Sequence, residues 1–212
     1  MTAPHHQFTP EQYLHFEDNV EARHEYVDGL VYAMAGAGRQ HGRIVRNLTV
    51  ALDRRTRDRS CETFFEAMRV RVGPRNAYLY PDAAGLCGDA LFSDEQPESF
   101  LNPSFVIEVL SPSTEAYDRG RKFALYRRIP TLREYVLVAQ DRMHAERFTR
   151  AADTAAPWVR IDADGPDGIV EIPSIDVSLR LGDLYARVVF PDHPPRPRRV
   201  RESIPPSVRR SR

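Results

Sequence analysis

The chain has 212 residues, with 30 Lys and Arg balanced by 30 Asp and Glu, and this length suits either one α/β domain with appendages or two very small domains. Hydrophobic residues make up 42% of it, which is ordinary for a protein that buries a core. We find no apolar run long enough to cross a bilayer and no N-terminal signal segment, so the sequence predicts no membrane association.

The two cysteines, Cys61 and Cys87, occur without a CxxC motif or a paired histidine. We expect them to be buried or free thiols in a reducing compartment, because neither a zinc site nor a disulfide framework is indicated. This expectation favours a cytoplasmic protein.

The charge is unevenly distributed along the chain. Residues 191–212 carry seven arginines against two acids, about +5 formally, in a segment rich in proline. Such a composition predicts a disordered tail, so we assign residues 1–190 to a single domain. An arginine tail binds a nucleic-acid backbone loosely, but a solubilising terminus has the same composition.

The first part of the chain predicts a helix, a hairpin and a second helix. Thr9 caps a short helix through Pro10–Leu14, with proline at the first helical position. Asp28-Gly29 joins two β-type runs and predicts a hairpin. In the following helix one face is apolar, formed by Ile44, Leu48, Ala51 and Leu52. Another face carries Arg39, Arg43 and Arg46, which are either solvated or in contact with phosphate.

From Thr63 the pattern changes to strands. The candidates are Thr63–Phe65, Met68–Val72 and a run at Tyr78–Tyr80 that leads into Pro81-Asp82. Because Ala83-Ala84-Gly85 is weak in a strand interior, we expect this last strand to end early and residues 85–103 to form a loop.

Residues 105–138 predict a β-α-β unit. Phe105–Leu110 is an apolar run interrupted only by Glu108, which is typical of a central strand buried on both faces. A helix near Asp118–Arg128 ends at Ile129-Pro130, and Glu134–Val138 is a second buried strand. Four later runs predict an antiparallel β meander: Met143–Phe148, Trp158–Ile161, Ile169–Ile172 and Val177–Leu179. The predicted fold class is therefore α/β in the broad sense, and more narrowly α+β, because antiparallel strands accompany the β-α-β unit.

Lys122 is the only lysine in a chain with 29 arginines. Arginine serves most surface roles, but it cannot lose its proton and it presents a fork instead of a point charge. The single lysine therefore marks a position that arginine cannot fill, the alternative being an accidental surface residue.

Two acids on predicted strands indicate a metal site. Glu108 lies within a buried strand, where a carboxylate needs compensation, and Asp82 lies near the close of another strand. On neighbouring strands they would form the oxygen-rich pocket that Mg²⁺ prefers, with Lys122 beside the ion and Glu25 as a fourth member. The alternative is a buried Glu108–Lys122 ion pair that only orders the joint between strand and helix.

Several strings of the sequence carry a resemblance to a known family: EYVDG, YPDA, VIEVLSPST, YDRGRKFALY and LREYVLV. With the order Glu25, Asp82, Glu108 and Lys122, the chain resembles the Uma-type family of putative restriction endonucleases in the PD-(D/E)XK nuclease superfamily. The similarity covers residues 8–150 and is strongest at 105–138.

The resemblance implies a restriction-endonuclease-like core, with a central mixed β-sheet flanked by helices, and Mg²⁺-dependent cleavage of phosphodiester bonds, with Mn²⁺ as a substitute. It also implies that Asp82 and Glu108 bind the metal. Lys122 would replace the motif lysine, because the motif's usual place, two residues after the glutamate, holds Leu110. Glu25 matches an early acid of the family.

Two further residues match supporting positions of the family. Tyr126, one turn after Lys122, matches an aromatic residue. His41 falls in a Gly-x-x-His-Gly segment at a helix start, where it either contacts substrate, relays a proton, or is a surface histidine at a helix end.

Two functional hypotheses follow. The first is a metal-dependent endonuclease that acts on DNA, as a homodimer if it cuts both strands. The second is a module that keeps the nuclease fold, has little or no catalysis, and binds nucleic acid or protein. A Schiff-base role for Lys122 is disfavoured, because it needs an amine without close carboxylates.

Overall fold

A computed structural model describes residues 7–34, 36, 38–151 and 157–190, and the predicted tail at 191–212 lies outside them. The helices are α1 Pro10–Asp18, α2 Arg39–Thr56, α3 Glu115–Tyr117, α4 Phe123–Tyr126 and α5 Leu181–Leu184. The strands are β1 His24–Val27, β2 Leu30–Ala33, β3 Cys61–Phe65, β4 Val70–Val72, β5 Ala77–Leu79, β6 Ala83–Cys87, β7 Phe105–Val109, β8 Glu134–Val138, β9 His144–Thr149, β10 Val159–Asp164, β11 Ile169–Ile172 and β12 Val177–Arg180. A π-helical turn, Asp118–Lys122, joins α3 to α4.

Local sequence signals explain the first elements. The Thr9 hydroxyl accepts the Gln12 backbone N–H at 3.2 Å and the Gln12 side chain accepts the Thr9 N–H at 2.8 Å, which closes a capping box at α1. Asp28 and Gly29 have φ angles of 48° and 91°, the conformation that a two-residue hairpin turn requires. The hairpin is confirmed as β1 and β2.

The central sheet has six strands in the order β10-β9-β8-β7-β6-β3. β7 and β8 are parallel and the other neighbours are antiparallel, so the predicted mixed sheet and its β-α-β unit are confirmed. A second sheet, in the order β2-β1-β5-β4, is antiparallel throughout. The predicted meander divides, because β9 and β10 extend the central sheet whereas β11 and β12 form a separate pair.

Hydrophobic cores lie on both faces of the central sheet. In β7, Phe105, Ile107 and Val109 belong to the core that α2 covers, whereas Val106 belongs to the core under the four-stranded sheet and α4. The predicted apolar face of α2 is buried in the first core: Ile44, Leu48, Ala51 and Leu52. Side chains alternate along a strand, so Glu108 lies on the same face as Val106. That face is the one on which the π-helical turn and α4 pack.

The segment after Asp82 forms a strand, and the predicted early end is wrong. β6 continues to Cys87 and pairs with β3 on one side and β7 on the other. A Cβ on Gly85 would lie 2.3 Å from the Glu62 carbonyl oxygen and 3.0 Å from Phe105 Cε1. The run Ala83-Ala84-Gly85 is weak as an isolated strand, but its small side chains allow three strands to approach closely.

The expectation of free thiols is also wrong. Cys61 and Cys87 are paired residues of the antiparallel β3–β6 ladder and form a disulfide. The two cysteines are 26 residues apart in sequence, and only the strand register brings them together. Within the described residues, no helix combines the length and apolarity needed to cross a membrane.

Candidate active site

A cleft of about 880 Å³ collects most of the residues that the sequence singles out. Its ionisable lining includes Glu25, His41, Glu66, Asp82, Glu108, Asp118 and Lys122. They come from different parts of the fold: Glu25 from β1, His41 from the start of α2, Glu66 from the turn after β3, Asp82 from the segment before β6, Glu108 from the second half of β7, and Asp118 and Lys122 from the π-helical turn. Five of the six predicted site residues therefore share one cleft.

Lys122 lies among three carboxylates, which together with it form one of two adjoining clusters in the site. Its Nζ lies 2.9 Å from Glu25 Oε1 and 2.9 Å from Glu108 Oε1. The ammonium also donates a hydrogen bond to the Tyr80 carbonyl oxygen at 3.2 Å, and Asp118 Oδ1 is 3.8 Å away. All four charged side chains are buried, and three carboxylates around one ammonium leave a formal charge of −2 when all are ionised.

This charge imbalance changes the pKa values in the cluster. Burial raises the pKa of Glu108 well above its ordinary value; Lys122 opposes this effect and Asp118 adds to it. Burial likewise raises the pKa of Asp118. Burial by itself lowers the pKa of Lys122, but Glu108, Glu25 and Asp118 outweigh it and hold that pKa well above its ordinary value. Lys122 is therefore a charged ammonium beside Glu108 and Asp118, whose raised pKa values mean that these two carboxyl groups retain protons more readily than usual.

Asp82 belongs to a second, adjoining cluster with His41 and Glu66. Its Oδ1 lies 3.1 Å from His41 Nε2, and its Oδ2 accepts the Val109 backbone N–H at 2.6 Å. One ligand atom from each of His41, Glu66 and Asp82 lies within 4.8 Å of the others. Because Val109 follows Glu108 on β7, its hydrogen bond holds Asp82 beside the strand that carries Glu108.

The His41 imidazole is held by Asp82 and is largely buried, so it is not a surface histidine at a helix end. Burial lowers the pKa of His41, but the hydrogen bond and the charge of Asp82 outweigh this effect and raise the pKa above its ordinary value. His41 thereby links the first turn of α2 to the acids of the sheet.

The donor set fits a divalent cation. Asp82, Glu66 and Glu108 offer carboxylate oxygens, which Mg²⁺ and Mn²⁺ bind, and the imidazole of His41 suits transition metals. Glu108 Oε1 is buried, and the Lys122 ammonium 2.9 Å away forms an ion pair with it without the geometry of a regular hydrogen bond. A buried carboxylate that shares one ammonium with other acids, beside an excess of negative charge, is a position that a cation stabilises.

The position of Asp82 differs from the prediction. The sequence predicts Asp82 near the close of a strand, whereas it lies just before β6, because β5 already ends at Leu79. Tyr126 does not line the cleft. It is fully buried in the second core, with its ring centroid 5.7 Å from that of Tyr135, and so it contributes packing.

Two members of the site were not identified from the sequence, Asp118 and Glu66. Asp118 had a signal, because it stands four residues before Lys122 and the two therefore share a helical face. Glu66 had none. It reaches the site because the turn after β3 lies against the Asp82 segment, where the Glu66 N–H donates to the Asp82 carbonyl oxygen at 3.2 Å.

Two proteins of one organism are similar to this chain over most of its length. In Synechocystis sp., the uncharacterized protein slr1290 is 32% identical over 190 residues, which are 89% of this chain and 97% of that protein. The uncharacterized protein sll1609 of the same organism is 31% identical over 163 residues, 77% of this chain and 91% of that protein.

A solved structure shares the fold. The crystal structure of a putative nuclease belonging to DUF820 from Anabaena variabilis superposes with a TM-score of 0.68 and 17% identity, covering 86% of this chain and 99% of that one. The model of the Uma2 family, described as "Putative restriction endonuclease", matches residues 10–180. Since this match spans most of the chain, the protein belongs to the Uma2 family.

Proposed function

We propose that this protein is a metal-dependent endonuclease that hydrolyses phosphodiester bonds of DNA. The observation that carries the proposal is the convergence of the only lysine with Glu25, Glu108 and Asp82 in one cleft, with Lys122 Nζ 2.9 Å from two carboxylates. Membership of a family described as "Putative restriction endonuclease" supports nuclease activity in general. The choice of Mg²⁺ or Mn²⁺ as cofactor and of DNA as substrate is part of the proposal.

In this proposal Asp82 and Glu108 hold the metal, with His41 and Glu66 as further ligands. A bound Mg²⁺ or Mn²⁺ supplies a reactive water at neutral pH and charge compensation at the phosphate. Water would attack phosphorus and give up a proton, the ester P–O bond on the opposite side would break, and the leaving oxygen would take up a proton, so that the products are a phosphate monoester and a hydroxyl group. Lys122 stabilises the extra negative charge on the phosphate oxygens, and Glu25 keeps its ammonium in position.

The positive side chains of the cleft, which would attract an anionic substrate, lie at its entrance. Arg23 and Arg121 line the cleft and are exposed, whereas its floor is acidic until a cation binds. A homodimer is proposed because cleavage of both strands at a locally unpaired position suits two sites related by symmetry.

The test is nicking of supercoiled plasmid by the purified full chain with Mg²⁺, with Mn²⁺ and with EDTA. We expect nicking with either metal, none with EDTA, and a loss of at least about 100-fold in Glu108→Gln, since one electrostatic group at the reacting centre contributes on the order of 10²–10³ in rate. Glu62→Gln is the matched control, because Glu62 is an exposed glutamate on β3 outside the cleft.

The second candidate function is a nuclease-fold module without catalysis that binds nucleic acid or protein. It is favoured by one observation: Glu25 and Glu108 already neutralise Lys122, so the cluster is also a stable ion-pair network. Intact plasmid under both metals, together with DNA binding that Glu108→Gln leaves unchanged, would establish this function instead.

A further inference from the structure

We infer that the cleft takes single-stranded or locally unpaired DNA and not an intact duplex, an inference that rests on the proposed nuclease function. It is carried by the size of the cleft, by the burial of the groups at its floor, and by an exposed aromatic ring on its rim.

The size of the cleft limits what can enter it. Its volume of about 880 Å³ lies within the range of roughly 300–1,000 Å³ that is typical of small-molecule pockets, which suits a few nucleotides of flexible strand. Glu108 and Lys122 are only 3% and 5% exposed. A duplex is stiff over about 150 base pairs, so it does not bend its backbone into a recess of this size without a large deformation energy.

Tyr32 supplies a surface on which an unpaired base stacks. It lines the cleft and is 37% exposed, and Met34, two residues later on the same hairpin, is 41% exposed. The Arg121 guanidinium carbon lies 5.8 Å from the Tyr32 ring centroid, and Arg121 donates a hydrogen bond to the Tyr32 hydroxyl at 2.9 Å. Tyr117 lies on the inner side, with its ring centroid 6.5 Å from that of Tyr32.

The strand register places this ring beside the proposed catalytic groups. In the β1–β2 pair Tyr32 is directly opposite Glu25, so both side chains project from the same face of the hairpin. Glu25 in turn contacts Lys122, the neighbour of Arg121 in the π-helical turn. A strand whose phosphate reaches Lys122 therefore has an adjacent base within reach of Tyr32 and Arg121.

Ring and guanidinium together match the chemistry of single-strand recognition. Unstacked bases bind to aromatic rings and guanidinium planes with little sequence preference, because every base has a π face. Bases within a duplex are already stacked and paired and present only their edges. Tyr32 therefore discriminates between the two forms of the substrate.

The test is fluorescence anisotropy with the full chain and Ca²⁺ in place of Mg²⁺ or Mn²⁺, so that a cation bound by oxygen ligands compensates the acidic floor while binding is measured without cleavage. The probes are a labelled single strand of about 12 nucleotides, within the site sizes known for single-strand binders, and the same strand annealed to its complement. We expect the single strand to bind more tightly than the duplex. Tyr32→Ala should weaken single-strand binding about 5- to 150-fold, the equivalent of one stacked base, and leave duplex binding unchanged, while Tyr32→Phe retains the wild-type affinity.

Val159→Ala is the control, because Val159 is an exposed apolar side chain on β10 outside the cleft. Equal or tighter binding of the duplex, or an equal effect of Tyr32→Ala on both probes, would overturn the inference and leave the proposed nuclease intact, provided that plasmid is still nicked. Failure of both probes to bind, with plasmid also left intact, would overturn the proposed function and the inference together.

Discussion

Lys122 Nζ lies 2.9 Å from Glu108 Oε1, although one residue belongs to a π-helical turn and the other to the central strand β7. The ammonium is simultaneously 2.9 Å from Glu25, so a single nitrogen bridges two carboxylates in a buried space. A guanidinium spreads its charge over a planar fork and cannot place one nitrogen between both oxygens in this way. This relationship explains why a lysine is retained in a chain that uses arginine at every other basic position.

Replacing the ammonium should therefore be costly. Lys122→Met should reduce the free energy of unfolding by about 3–5 kcal/mol at neutral pH, because it leaves buried carboxylates without their partner. Lys122→Arg should destabilise less, since the charge remains, yet it should lose plasmid nicking as fully as Lys122→Met. Urea denaturation and plasmid nicking measure the two effects separately.

Arg128→Met provides the control for these variants. Arg128 is an exposed residue near the C-terminal end of the same helical segment, and it should change stability by no more than about 0.5 kcal/mol. Full nicking activity in Lys122→Arg would show that a point charge is not required, and the explanation for the single lysine would then be wrong.

Metal binding should be visible as stabilisation. At a Mn²⁺ concentration of about 100 times its Kd, binding to the folded state contributes roughly 2.7 kcal/mol, which for a chain of this size corresponds to an increase in Tm of roughly 5–10 °C. Asp82→Asn should abolish the increase, and Glu66→Gln should reduce it, because these carboxylates and His41 offer ligand atoms that lie within 4.8 Å of one another. Thermal unfolding with and without Mn²⁺ measures the effect.

Glu62→Gln is the matched control for this titration and should show the full increase. If Asp82→Asn responds to Mn²⁺ as the wild type does, the cation binds elsewhere. If Asp82→Asn loses the response while Glu66→Gln keeps all of it, Glu66 is not a ligand and the site comprises the other carboxylates.

The elements that could be predicted are those with a local cause. The hairpin follows from Asp28-Gly29, because this dipeptide adopts the required positive φ angles. The β-α-β unit follows from the apolar run Phe105–Leu110, in which Glu108 is the only charged residue, and from Pro130, which prevents the helix from continuing. The glutamate within a buried strand and the single lysine were visible in the sequence as unusual residue types at their positions. Together with Glu25, His41 and Asp82 they make five of the seven ionisable residues named in the site.

The elements that could not be predicted depend on tertiary contacts. Ala83-Ala84-Gly85 has low β propensity, and only the approach of Glu62 and Phe105 explains why bulkier residues are excluded. The contact between His41 and Asp82 joins residues 41 positions apart, from a helix and the segment before a strand. Strand propensity and residue spacing contain no information about the close packing at β6 or about the contact between His41 and Asp82. Both are therefore visible only in the folded structure.

The close approach at β6 gives a test of that explanation. Gly85→Ala should destabilise the protein by about 1–3 kcal/mol, because an added methyl group must displace backbone of β3 or the Phe105 ring. Gly120→Ala is the matched control, since its Cβ would meet nothing within 4 Å. In the helical segment this change should stabilise by about 0.4–1 kcal/mol. Equal urea midpoints for the two variants would contradict the packing argument.

Glu95 should make stability depend on pH. It is buried in the segment between β6 and β7, where it accepts hydrogen bonds from the Tyr78 hydroxyl at 2.9 Å and Arg71 Nη1 at 3.0 Å, with Arg75 Nε at 3.1 Å. Burial raises the pKa of Glu95, but these donors outweigh it and lower the pKa below its ordinary value. Glu95 thus connects a segment without regular strands to the four-stranded sheet.

The sign of the pH effect follows from this lowered pKa. Above the unfolded-state pKa of about 4.3, the carboxylate is ionised in both states and its stabilisation is fully present. As the pH falls through that value and then through the lower folded-state pKa, the unfolded state binds more protons and the stabilisation is lost. Glu95→Gln should therefore reduce the free energy of unfolding by about 1.5–3 kcal/mol at pH 7, and by progressively less below pH 4.3.

Urea denaturation of wild type and Glu95→Gln across this pH range isolates the contribution of Glu95, because the other titrating groups are common to both proteins. Glu98→Gln is the control: Glu98 is exposed on the same segment, and its replacement should leave the difference from wild type near zero at every pH. A difference between wild type and Glu95→Gln that stays constant from pH 7 to below the unfolded-state pKa would mean that Glu95 contributes through packing and not through its charge, because only the charge is removed by protonation.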